Sequence, residues 1–203
     1  MKFFSLLTSA VAASAAVLAP SPVQGSTEAT IVKRDVATIT NQVALIVTAL
    51  NTLTKAANTF TGATGQAATI ENDFAALYNV TSKANTVIAP TPQLGIFDAL
   101  AVSTPLSNFG NTVNATLAAV IKAKPELVKA KIGAAIYNAL VKEKEISVIF
   151  QNTLISHLPT SLQSIANTQA QPIFAALNGS VAAFADQVNA TSKVVRRSRI
   201  LVV

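Results

Sequence analysis

The chain has 203 residues, of which 51% are hydrophobic and 12% charged, and it contains no cysteine. That length supports a domain with a sizeable core held by packing rather than disulfides, and it leaves no thiol for nucleophilic catalysis. The formal net charge of +6 belongs to the ends: residues 35–192 carry eight basic and eight acidic side chains, so a basic face for nucleic acid is excluded.

Met1–Lys2 forms a short positive start, and Phe3–Leu18 is an apolar run rich in Ala and Leu. Val23-Gln24-Gly25 offers small residues where a signal peptidase cuts, so residues 1–25 read as a secretory signal peptide. A single N-terminal anchor is the other reading, but the run is short of the ~20 residues a span needs. Residues 26–34 form a leader ending in Lys33-Arg34, either a processing site or two solvated charges before a helix. Asp35 then places an anion at a helix start.

From Val36 to Phe60 the inward positions are Val36, Ile39, Val43, Ile46, Leu50, Leu53, Ala57 and Phe60, spaced by threes and fours. This heptad stripe predicts a helix of about 37 Å at ~1.5 Å per residue, which needs partner helices of similar length. Gly62 and Gly65 end it. A second stripe runs Ala67, Ile70, Phe74, Leu77, Thr81, Ala84, Ile88, and Pro90-Thr91-Pro92 stops it.

A third helical region begins near Gln93 with Leu94, Phe97 and Leu100 inward. Ser103-Thr104-Pro105 predicts a kink or a division into two short helices, followed by Leu106, Phe109, Val113, Leu117 and Val120. Lys122-Ala123-Lys124 then reads as a helix C-terminus and Pro125-Glu126 as the next N-terminus. The fourth helix extends to about His157, with Ile132, Ile136, Leu140, Ile146, Phe150 and Leu154 inward and Lys142-Glu143-Lys144-Glu145 as a solvated face. The fifth runs from about Thr160 to Ser192, with Leu162, Ile165, Ile173, Leu177, Val181, Phe184 and Val188 inward and a bend at Pro172. Residues 193–203 are a basic tail. The expected fold is all-α, an antiparallel bundle of about five long amphipathic helices over residues 35–192.

Catalytic chemistry is hard to find. His157 is the one histidine and stands at a helix end beside Leu158-Pro159, as a capping or surface residue does. There is no Gly-x-Ser-x-Gly elbow, and Gly62-Ala63-Thr64-Gly65 is too short for a phosphate loop. The pairs Glu71/Asp73 and Glu143/Glu145 are two residues apart, so on a helix they face opposite sides. Neither catalytic residues, a cofactor nor a metal is expected. Four acceptor sequons begin at Asn79, Asn114, Asn178 and Asn189 and are candidate glycosylation sites in a secreted chain. The short end after Arg199 argues against a GPI anchor.

A leader closing in Lys33-Arg34-Asp35, then a heptad helix ending Ala57-Asn58-Thr59-Phe60-Thr61-Gly62, resembles the fungal hydrophobic surface-binding protein A family and its cell-wall galactomannoproteins. Lys124-Pro125 through Ile132, Leu140, Phe150, Leu154 and Leu158-Pro159 fit the same pattern, as do Ile173 to Phe184, so the resemblance spans roughly residues 33–188. It implies a secreted fungal helical bundle that adsorbs to hydrophobic surfaces and recruits a cutinase-type hydrolase. In some relatives it implies long-chain fatty acids held inside the bundle. The missing Ser/Thr stalk sets the chain apart from anchored wall proteins.

Two functions compete. In one, the chain carries a long-chain fatty acid or other lipid in an apolar interior. In the other, it adsorbs to hydrophobic surfaces without an internal ligand; a purely structural wall protein is the bland alternative. For the carrier, the lining comes from Phe74, Leu77, Phe109, Ile136, Phe150, Leu154, Phe174 and Phe184, interleaved with the small Ala67, Ala84 and Thr81. No Lys or Arg clearly faces inward, so Ser, Thr, Asn or Gln would meet a carboxylate head, or the head would sit at the channel mouth. The leader yields a direct test: secreted material should begin at Ser26, or at Asp35 if the dibasic pair is cut. N-terminal sequencing that still finds Met1 would remove the leader and the extracellular localisation together.

Overall fold

The computed structural model describes residues 27–200, with side chains described over residues 35–188. The expected signal peptide, the Lys33 and Arg34 side chains, the Asn189 side chain and the basic side chains of the tail lie outside that description. Five helices make up the fold: α1 (Thr27–Asn58), α2 (Gln66–Ile88), α3 (Ile96–Lys129), α4 (Gly133–Ser156) and α5 (Thr160–Ile200). Among the described residues there is no strand, and the fold is an all-α bundle.

The helices close into a ring. α1 packs against α2 and α3, α2 also against α4, and α4 and α3 are joined through α5. Consecutive helices reverse direction through short connections, but only α1–α2 and α4–α5 are both consecutive and closely packed. The α2–α3 connection instead crosses the end of the ring. It is fastened there by backbone and side-chain bonds: Leu94 N donates to His157 O at 2.7 Å, and Gln93 Nε2 donates to Leu158 O at 2.8 Å. His157 is therefore a buried corner residue at the C-terminal cap of α4, its Nδ1 2.6 Å from Thr153 O.

The α1 stripe from Ile39 to Phe60 is buried as its spacing requires, with Val36 half-buried at its start. Residues 35–58 are long and apolar enough to cross a bilayer, but here their apolar face is the core seam against α2 and α3. Gly62 and Gly65 both adopt positive φ, and Gln66 Oε1 accepts from Thr61 N and Ala63 N to fix the turn. The α2 stripe is buried from Ile70 to Ile88.

The third and fourth elements differ from expectation. α3 is continuous through Pro105 and Pro125, so the chain neither divides at Pro105 nor restarts at Pro125. The carbonyls left without an N–H partner are those of Ala101 and Ile121, both on exposed residues where water can reach them. The break comes at Lys131, which takes φ 63°. Ile132 N donates to Leu127 O at 3.1 Å and Lys131 N to Val128 O at 2.9 Å, the paired bonds of a Schellman ending. Phe97 is 82% exposed rather than inward, because the buried face of α3 begins with Ala99 and Val102, while Leu94 is buried in the connection before it. Ile165 is likewise exposed, since no residue of α5 before Leu177 is fully buried.

The Schellman ending normally uses glycine, and Lys131 carries the left-handed cost of a side chain. Lys131→Gly should therefore stabilise the fold by about 0.5–1 kcal/mol, read as a rise of about 1–4 °C in thermal midpoint. An unchanged or lower midpoint would show that the lysine stem contributes contacts outweighing the backbone strain.

Candidate functional site

The first half of α5 stands off the ring. Between α3, α4 and this half lies a cavity of about 540 Å³. α3 contributes Leu106, Ser107, Phe109, Gly110, Asn111, Val113 and Asn114. α4 and its end contribute Ser147, Phe150, Gln151, Leu154, Ile155 and Leu158, and α5 contributes Ala166, Gln169, Ala170, Pro172, Ile173 and Phe174. Phe109 and Phe150 meet edge to face, ring centres 6.1 Å apart at 70°. At the far side α3 and α5 close tightly: a Cβ on Gly110 would come within 3.3 Å of Ile173 Cδ1.

No charged residue lines this cavity. Its polar groups are the hydroxyls and amides of Ser107, Asn111, Asn114, Ser147, Gln151 and Gln169, of which Asn111 and Asn114 are exposed. The volume falls in the usual small-molecule range of about 300–1,000 Å³. Among the described residues no group of His, Asp and Glu could hold a metal ion.

A smaller hollow of about 30 Å³ continues inward to the ring's centre, where all five helices contribute. Phe109, Val113 and Ser147 line both spaces, so they form the partition between them. The hollow also carries Thr81, Thr116 and Glu143 among apolar neighbours such as Ile46, Leu50, Phe74 and Leu140.

Of the eight predicted lining residues, Phe109, Phe150, Leu154 and Phe174 surround the cavity. Phe74 and Leu77, with Phe109, line the inner hollow. Ile136 and Phe184 line neither space and are fully buried, Phe184 with the Lys124 ammonium 5.7 Å over its ring. Lys124 also pairs with Asp186 at 2.9 Å, and that bond holds the Asp186 carboxyl below its ordinary value.

Glu143 corrects the expectation of a solvated Lys142–Glu145 face. It is 5% exposed, while Lys142 and Glu145 are exposed. It stands seven residues before Phe150, in register with the inward face of α4. Its Oε1 has no hydrogen-bond partner, and burial pushes its pKa from 4.5 up to about 8. Ser147 and Gln151, one and two turns on, complete a polar edge that spacing of apolar residues alone did not single out.

The sequons at Asn79, Asn114 and Asn178 lie within helices, each with its Asn exposed and its hydroxyl residue buried two positions on. Those hydroxyls, of Thr81, Thr116 and Ser180, donate to Leu77 O at 2.9 Å, Thr112 O at 2.8 Å and Leu177 O at 2.8 Å. Thr116 further shares a 2.8 Å bond with Thr54 across the α1–α3 seam.

Comparison with known proteins fits this architecture. The family model of hydrophobic surface binding protein A matches residues 36–156. Ligand binding domain 1 of Penicillium marneffei MP1 protein, complexed with arachidonic acids, is 23% identical over 75% of this chain and 99% of that one, with a TM-score of 0.72. Ligand binding domain 2 of the same protein, complexed with multiple arachidonic acids, is 21% identical over 73% and 95%, with a TM-score of 0.70. AFMP4P in complex with palmitic acid is 24% identical over 74% and 99%, with a TM-score of 0.71. No curated protein matches. These structures share the fold, and by the family match the chain belongs to the hydrophobic surface binding protein A family.

The buried Glu143 links stability to pH. The folded chain holds this proton to about pH 8, whereas the unfolded chain releases it near 4.5. Between those values the folded state binds more protons, so this group's contribution is fully present below 4.5 and is lost as pH rises towards 8. At about 1.4 kcal/mol per unit, roughly 4 kcal/mol is lost between pH 5 and pH 8. Urea unfolding at the two pH values should show that slope in the wild type and not in Glu143→Gln; an equal slope in both would contradict it.

Proposed function

We propose that this member of the hydrophobic surface binding protein A family is a secreted, non-enzymatic carrier of long-chain fatty acids. The observation that carries the reading is the 540 Å³ cavity between α3, α4 and α5, lined by phenylalanine and aliphatic side chains and by no charge. Burying most of a sixteen-carbon chain gains on the order of 10 kcal/mol before the cost of ordering protein and ligand. With no charged residue in the lining, a head group would be met by uncharged hydroxyls and amides rather than by a counter-charge. The ligands bound in the similar structures, arachidonic and palmitic acid, are of this class. Phe109, Phe150, Leu154 and Phe174 would form the lining, with Phe74 and Leu77 further in.

Adsorption to hydrophobic surfaces is the second reading, favoured by Phe97 and Ile96, which stand exposed together at the start of α3. A cutinase-type hydrolase would then be the partner brought to the surface. Glycosylation at Asn79, Asn114, Asn178 and Asn189 and association with the cell wall accompany either reading.

Calorimetric titration of delipidated protein with palmitate separates the two. The carrier reading expects saturable binding, weakened at least tenfold when Ala170→Phe or Phe150→Trp fills the cavity. Adsorption without a carrier function expects no saturable binding and no effect of either substitution.

A further inference from the structure

The inner hollow has a feature that a purely apolar acyl channel does not require. Glu143 is nearly fully buried, lines the hollow and has an oxygen without a hydrogen-bond partner. Leaving such a group unmatched costs free energy that an apolar residue of similar size would avoid. The other polar groups there cannot supply it fully: the Thr81 and Thr116 hydroxyls already donate to helix carbonyls. They retain lone pairs as acceptors, so the Glu143 carboxyl proton and the Ser147 hydroxyl are the donors that the hollow offers.

We propose that this hollow seats the oxygen head of the carried lipid, with the Glu143 carboxyl as hydrogen-bond donor and Ser147 beside it, so that the tail runs outward past Phe109 into the larger cavity. The proposal rests on the carrier reading and adds an orientation and a head-group chemistry to it. The hollow, about 30 Å³, has room for a small oxygen group and not for a second chain. Phe109, half-buried and lining both spaces, is the side chain the lipid passes.

The seat favours a head that accepts a hydrogen bond: a carboxyl, an ester carbonyl or a hydroxyl. Burial keeps the proton on Glu143 to about pH 8. Above that, an anion would face the ligand's oxygen, and a head that can only accept would be expelled. No charged side chain from α1, α2, α3 or α5 lines the hollow to offset this: Lys124 and Asp186 pair with each other, and Asp73, Lys142, Lys144 and Glu145 lie outside the lining.

The test uses two probes that do not titrate, methyl palmitate, which only accepts, and hexadecanol, which both donates and accepts. Their affinities are measured at pH 6 and pH 9.5 by displacement of a fluorescent acyl probe from delipidated wild type, Glu143→Gln and Glu143→Leu. Wild type should lose methyl palmitate affinity at least tenfold at pH 9.5 and keep hexadecanol, which also controls for loss of fold. Glu143→Gln should bind both alike at both pH values. Glu143→Leu should bind methyl palmitate about three- to tenfold more weakly than wild type at pH 6, the effect of one hydrogen bond. If Glu143→Leu matches wild type at pH 6, or Glu143→Gln keeps the alkaline loss, the head does not sit at Glu143 and the proposal fails while the carrier stands. If no protein binds either probe or palmitate, the carrier reading and this one fail together.

Discussion

Closure of five helices into one ring is the constraint from which the other features follow. Helices pack with axes about 8–10 Å apart, so at about 9.5 Å a square of four holds each axis about 6.7 Å from the centre. A regular ring of five holds them about 8 Å away. Side chains that fill the middle of a four-helix bundle fall short across five. Here the shortfall is met unevenly: Phe109 of α3 and Phe150 of α4 meet edge to face, Phe74, Leu140 and Leu177 line the centre, and the remaining space collects under α5. Small residues enlarge it, as Ala166, Ala170 and Gly110 occupy positions where leucine would fill the gap.

The interior is apolar but not dry of polar groups, and each has a physical reason. Thr81, Thr116 and Ser180 return their protons to carbonyls of their own helices, which lets a small side chain sit in the core at modest cost. Thr54 and Thr116 join α1 to α3, Asn85 bonds Thr153 to join α2 to α4, and Lys124 pairs with Asp186 to join α3 to α5, so polar or charged pairs mark three of the ring's five seams. Glu143 is the exception, a carboxyl kept neutral by burial rather than matched by a cation. A fold that tolerates it gives up stability as the pH rises, which is the expected mark of a group kept for something other than packing.

Much of this fold was legible in the sequence because its helices are long and strongly periodic. The stripe from Ile39 to Phe60 and the stripe from Ile70 to Ile88 are buried position for position. Boundaries were less legible where proline was concerned. Pro105 and Pro125 read as breaks, yet both sit inside α3, because the carbonyls they orphan lie at exposed residues. The actual end at Lys131 had no glycine to announce it. In the candidate site, Phe109, Phe150 and Leu154 were readable from their spacing, and Phe174 as a large side chain next to the stripe residue Ile173. Glu143 was not, since charge outranked register: the step from Leu140 to Ile146 leaves a gap in the threes and fours, and Glu143 fills it. Which helices would flank the cavity also lay beyond periodicity, because ring order depends on crossings that the connections permit but do not dictate.

The central claim is that the space between α3, α4 and α5 holds an acyl chain. A crystal structure with a long-chain fatty acid brominated at its terminal carbon tests it most directly, since anomalous scattering locates the bromine without interpretation of the chain. The account predicts a single strong peak within the cavity bounded by Phe150, Leu154, Ala170 and Phe174. A peak confined to the exposed surface near Phe97, or no ordered peak at saturating ligand, would contradict it.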